Sequence, residues 1–119
     1  MQKINLIEPL PEKKLQTVDE LRQYIDKYFP EDTFVIFDDD LGYSYVTAFI
    51  GISEDKRAVY SYDLMVEHSA ADYIKEGMTA KEIEEAITDA VEWIGFNTFG
   101  SLAYMGANKP IIDYTELCQ

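Results

Sequence analysis

The sequence predicts an α+β fold: a small antiparallel sheet, made of a three-strand meander and a short C-terminal strand, packed against about three helices. Three observations predict it. Two Thr-x-x-Glu boxes, Thr17 to Glu20 and Thr79 to Glu82, each open a run of apolar residues at helical spacing. Between them lie stretches rich in β-branched and aromatic residues, separated by short turn-forming segments, which is the pattern of hairpin-linked strands. Finally, Pro110-Ile111-Ile112 reads as a strand with proline at its first position, where a missing amide donor is tolerated.

Residues 1–14 carry Pro9 and Pro11 and little periodicity, so they read as an extended arm. Ile4, Leu6, Ile7 and Leu10 are too apolar for a free tail, and the arm is expected to dock on the body or pair with a sheet edge. The first capping box then starts a helix whose Leu21, Tyr24, Ile25 and Tyr28 share one face and which Pro30 closes. Strands are expected at 33–38, 43–53 and 57–62, with DDDLG and Glu54-Asp55-Lys56 as the turns. In the second, the aliphatic set Val46, Ala48, Ile50 and Ile52 suits a face against helices, and the alternating aromatic set is expected to be partly exposed. From Asp63, Leu64, Met65, Ala71 and Ile74 fall at roughly helical spacing, with Gly77 placed as the C-terminal glycine. The second box starts the longest helix, whose stripe is Ile83, Ala86, Ile87, Ala90, Val91 and Ile94, followed by Phe96. Beyond it, Asn97 and Thr98 can bond the last helical carbonyls, and Gly100 or Gly106 can supply a turn's positive φ.

A length of 119 residues suits a single domain, 1–119, able to bury a core without disulfides or metal. The one cysteine, Cys118, reads as a bystander. The sequence shows no signal-like segment and no long apolar run, so a cytoplasmic protein is expected, with no membrane partner. Acidic residues number 23 against 10 Lys and Arg, a formal net charge of −13. Such a chain repels phosphate backbones, which are bound by releasing counterions to Lys and Arg, so direct nucleic-acid binding is disfavoured and basic partners are favoured.

Catalytic constellations are sparse. His68 is the only histidine, and there is no nucleophile elbow, Walker loop or dinucleotide fingerprint. One His and one Cys cannot supply a tetrahedral zinc set, and no metal or cofactor is expected. Asp38, Asp39 and Asp40 precede Leu41-Gly42 without the spacing of a calcium loop, and read as an acidic hairpin turn that a cationic partner would stabilise. On the longest helix, Glu82, Glu85, Asp89 and Glu92 recur at spacings of 3, 4 and 3, placing four carboxylates on one side with only Lys81 as a counter-charge. Glu82 is accounted for by the capping box; Asp89 and Glu92 have no such reason. The face is either plainly solvated or a docking surface for a basic groove. Several tyrosines, including Tyr43, Tyr45, Tyr60 and Tyr62, fall on the second and third expected strands, as a half-buried aromatic face or a protein-binding patch.

The runs RAVYSYDLMVE (57–67) and GMTAKEIEEAITDAVEWIGFNTFGSLAYMGANKPII (77–112) carry a resemblance. They resemble a group of short uncharacterised proteins encoded in phages and prophages of Gram-positive bacteria. The shared features are a tyrosine-rich strand leading to a helix, a GMT start, an acidic helix ending in an aromatic residue and FN, a glycine-bearing turn and a terminal PI strand. The likeness covers about residues 44–114. It implies a mobile-element accessory protein of α+β fold and implies no activity.

Together these readings lead to the expectation of a non-enzymatic protein that inhibits a basic host protein, such as a defence nuclease. Glu82, Glu85, Asp89, Glu92 and Asp38 to Asp40 would stand in for nucleic-acid phosphates. An alternative is a binder of a signalling nucleotide in a pocket near Tyr45, Tyr60 and Asn97, against which the shortage of Arg and Lys counts. Another is a structural module in which the arm of one protomer adds to the sheet of another in a homo-oligomer.

Overall fold

The computed structural model describes residues 4–32, 34–37, 45–71, 73–102 and 104–114. Its elements run β1 (Leu6–Ile7), α1 (Val18–Tyr28), β2 (Phe49–Ser53), β3 (Ala58–Ser61), α2 (Tyr62–Ala71), α3 (Ala80–Trp93) and β4 (Ile111–Asp113). A π-helical segment, Ile94–Phe99, and a last helical turn, Gly100–Leu102, extend α3. Among the described residues, three helices and a four-stranded, mostly antiparallel sheet make this an α+β fold, as the sequence predicts.

The strands lie in the order β1-β2-β3-β4. The meander is present, but its first strand comes from the arm: β1 pairs antiparallel with β2, with Leu6 opposite Ser53 and Ile7 opposite Ile52. Among the described residues, 34–37 contain no strand, which corrects the expectation for 33–38. The physical reason is visible at Phe37, whose amide donates to the Tyr60 hydroxyl at 3.3 Å instead of to a ladder, while the free edge of β2 is occupied by β1. The arm is anchored from above as well, because the Tyr24 hydroxyl donates to the Pro9 carbonyl at 2.6 Å. β2 also begins later than expected. Tyr45 adopts a left-handed conformation (φ 51°), and a 3₁₀ turn over Val46–Ala48 precedes the strand. A bulky residue at positive φ is strained and persists where its surroundings over-determine it. Here Tyr45 is buried, stacks edge-on against Phe37 at 5.5 Å and is hydrogen-bonded to Thr98.

β3 runs directly into α2, whose first turn is capped by Ser61 Oγ accepting from the Leu64 amide. β4 then joins β3 in parallel, with Tyr60 opposite Ile112, since two helices intervene and carry the chain back. Both capping boxes form: the Thr17 and Thr79 side chains accept from the amides of Glu20 and Glu82, whose carboxylates accept from the threonine amides. Gly77 is not the C-terminal glycine of α2, which ends six residues earlier at Ala71; it occupies a positive φ of 88° in the turn before α3. Gly106 takes the other positive φ, 85°, whereas Gly100 is helical at −61°.

The core joins α1 to the sheet through Leu21, Tyr24, Ile25, Ile52 and an aromatic set that the alternation pattern assigned to a partly exposed face. Tyr45 and Phe49 are instead buried, together with Tyr60 and Phe37, with ring centroids of Phe37 and Tyr60 4.8 Å apart and of Phe49 and Tyr60 5.8 Å apart. Such edge-on and tilted pairs stabilise beyond their area burial. On α3 only half of the expected stripe is covered: Ala86, Ala90 and Ile94 are buried, and Ile87 and Val91 remain exposed.

Candidate functional site: the acidic face of α3 and its aromatic end

The longest helix presents two unlike faces because its sequence combines two periodicities. Ala86, Ala90 and Ile94 recur every four residues and seat the helix on the body; small alanines let it lie close. On the far side Glu82, Glu85, Asp89 and Glu92 are all exposed, so the structure brings these four sequence-predicted residues onto one solvent-facing strip. A helix rises about 1.5 Å per residue, so the strip spans roughly 15 Å with a carboxylate about every 5 Å. Glu82 is engaged by the cap: its Oε1 accepts from the Thr79 amide at 3.0 Å, and this bond holds its carboxyl below the usual range. Glu84, Glu85, Asp89 and Glu92 have no ion-pair partner among the described residues, and no basic residue falls in the last turn of α3. Unpaired like charges at these spacings oppose helix formation by a few tenths of a kcal/mol per pair.

The strip does not end at Glu92. Trp93 lies four residues after Asp89 and Phe96 four after Glu92, so two large exposed aromatics continue the same side of the helix. With Asp89, Glu92 and Gly95 they line an open depression of about 630 Å³. Sequence reasoning placed Phe96 at the end of the apolar stripe and passed over Trp93. The i,i+4 step from each carboxylate to an aromatic was the signal that could have found both.

The π-helical segment positions this end. The Tyr45 hydroxyl pairs with Thr98 Oγ1 at 2.6 Å, and the Trp93 indole N–H lies within hydrogen-bonding reach of the same hydroxyl. One buried phenol thereby ties together two residues five apart, across the widened turn. Burial pushes the Tyr45 pKa up, against the lowering effect of these two bonds. π-turns within helices are rare and frequently found at functional sites.

The other sequence-predicted residues fall elsewhere. Tyr45 and Tyr60 are core side chains, not the lining of a surface pocket, and burial raises the Tyr60 pKa far above its ordinary value. The side chain of Asn97 lies outside the described part, as do Asp38, Asp39, Asp40 and Cys118. His68 is half-buried, its Nδ1 2.7 Å from Thr47 Oγ1 and its Nε2 3.3 Å from Lys14 Nζ. Desolvation, with Lys14 second, lowers its pKa, so the neutral ring is favoured, donating to Thr47 and accepting from Lys14. It ties the end of the arm to α2. Among the described residues no group of three His, Cys, Asp or Glu could hold a metal ion, and no helix is long and apolar enough to cross a membrane.

Compared with known proteins, the chain matches no family model, no curated protein and no solved structure. Its function is therefore argued from its own surface.

Proposed function

We propose that this chain is a non-enzymatic, cytoplasmic accessory protein of phage or prophage origin that binds and inhibits a basic host protein. In this reading α3 presents its carboxylates in place of nucleic-acid phosphates, and the target is a nucleic-acid-binding enzyme such as a defence nuclease. One observation carries the reading: Glu85, Asp89 and Glu92 stand exposed on one strip with no ion-pair partner among the described residues. A sequence selected for solubility alone would interleave lysines there, removing repulsion at no cost to hydration. The net charge of −13 reinforces the field and would speed encounter with a basic groove. The core placement of Tyr45 and Tyr60 argues against the nucleotide-pocket alternative.

The test is capture from a lysate of a Gram-positive bacterium on the immobilised chain, eluted by a salt step, with the same capture by a Glu85→Lys/Asp89→Lys variant. A nucleic-acid enzyme held at low salt, released at high salt, inhibited by the chain and lost on charge reversal supports the proposal. Undiminished binding and inhibition by the reversed variant would sink it.

A further inference from the structure

We infer that the depression at the end of α3 is an arginine-accepting notch, in which a guanidinium of the partner stacks on Phe96 and Trp93 while its N–H fork meets Asp89 and Glu92. This rests on the reading of α3 as a docking face and adds the chemistry of the contact.

The argument starts from an exposed apolar surface. Phe96 is 87% exposed and Trp93 42% exposed, so two large rings face solvent side by side on a helix whose opposite face is well seated. Phe96 has no ring partner among the described residues. Nothing among the described residues explains a phenylalanine held in water, because its burial would be worth roughly 2 to 3 kcal/mol. Trp93 is held in place rather than loose, since its indole reaches the Tyr45 hydroxyl beneath the π-turn. Gly95 lies between the two rings in sequence, and a Cβ built there meets nothing within 4 Å, so the floor of the depression is open.

Charge complementarity selects the occupant. The rings are bordered by Asp89 and Glu92, and no basic residue stands in the last turn of α3 to neutralise them. A purely apolar partner would strip water from these carboxylates without compensation. A lysine would satisfy the charge but is strongly hydrated and offers no plane to the rings. Arginine does both: its planar, weakly hydrated guanidinium stacks on aromatic faces and forms paired bonds to carboxylate.

The chain contains a single tryptophan, Trp93, so its fluorescence reports on this site alone. We would titrate the protein with an oligo-arginine peptide and with an oligo-lysine peptide of equal length. The expected result is a saturable change in Trp93 emission by both, with arginine binding about five-fold tighter. Phe96→Ala is expected to reduce the preference to below about two-fold, with the circular dichroism unchanged because the ring is exposed. Asp89→Asn/Glu92→Gln is expected to weaken both peptides. Equal affinity for the two peptides in the natural chain, or an arginine preference that survives Phe96→Ala, would overturn the notch. Equal, salt-sensitive binding that Glu85→Lys/Asp89→Lys abolishes would refute the notch while leaving the acidic docking face intact. Absence of binding by either peptide would also refute it, with partner capture deciding the wider proposal separately.

Discussion

The buried bond between Tyr45 and Thr98 is expected to set both the stability of the π-segment and the position of the aromatic end. Its two oxygens lie 2.6 Å apart, and the residues are 3% and 7% exposed, so neither hydroxyl has water as a ready substitute. Tyr45→Phe removes one partner without changing the ring that packs on Phe37. What is lost is the hydrogen bond to Thr98, about 1 kcal/mol, and part of the desolvation cost of the abandoned Thr98 hydroxyl, another 1 kcal/mol or so, whereas the Trp93 indole, 42% exposed, can turn to water for its lost partner. The hydroxyl of a helical threonine can turn back to a carbonyl of the preceding turn, which limits the second contribution. The expected destabilisation is therefore about 1 to 2 kcal/mol, or a fall in Tm of roughly 4 to 8 °C for a domain of this size. Thr98→Val should cost about 1 kcal/mol, since the Tyr45 hydroxyl keeps its contact with Trp93. In the double variant both hydroxyls are gone, and its loss should fall short of the sum by about 1 kcal/mol. Urea unfolding followed by circular dichroism measures all four corners of the cycle. Additive losses, or a Tyr45→Phe effect below about 0.3 kcal/mol, would refute the coupling and with it the role assigned to this phenol. The emission of Trp93 in the folded Tyr45→Phe variant should also shift, because the indole loses a hydrogen-bond partner.

Asp89→Lys converts repulsions with Glu85 and Glu92 into attractions and should stabilise the fold by about 0.5 to 1 kcal/mol, read as a higher urea midpoint with unchanged slope; a lower midpoint would mean that Asp89 has a structural role. Gly51→Ala should destabilise the arm by about 1 kcal/mol or more, because its Cβ would stand 3.1 Å from Leu6 Cδ1 and 3.3 Å from Leu10 Cδ2 on a backbone at φ +154°. Faster amide exchange at residues 6 and 7 than in the natural chain would report it. Burial raises the pKa of Tyr60, Tyr45 and Tyr24 above the ordinary value of 10.0. The folded state thus favours the neutral phenols, and their contribution to stability is complete below pH 10 and is lost as pH rises past it. These tyrosines should ionise together with unfolding in an absorbance titration, and their free titration near pH 10 in a still-folded chain would contradict their burial.

Much of this architecture was legible in the sequence because the signals are local. A threonine hydroxyl and a glutamate three residues on satisfy amides of the same turn, so α1 and α3 begin where Thr17 and Thr79 stand whatever surrounds them. The acidic strip was legible for the same reason: helical spacing alone puts Glu82, Glu85, Asp89 and Glu92 on one side. Pro110 and two isoleucines likewise marked β4, though not its parallel direction, which depends on where the preceding helices return the chain.

Tertiary structure decided the rest, because it turns on competition between distant groups for the same partner. Residues 34–37 have strand-like composition, yet β1 holds the edge of β2 and the Tyr60 hydroxyl takes the Phe37 amide. Alternation within 43–53 could not show that Tyr45 and Phe49 would be buried together with the aliphatic Val46, Ala48 and Ile52. That followed from Tyr45 turning into a left-handed conformation and from Phe37, Phe49 and Tyr60 closing around one another. The aromatic end of α3 shows both levels at once. By itself the sequence determined that Trp93 and Phe96 follow the carboxylates at helical spacing. Only the packed structure, through a phenol reaching from Tyr45 to Thr98 under a widened turn, decided that they stand in solvent beside those carboxylates and not in the core.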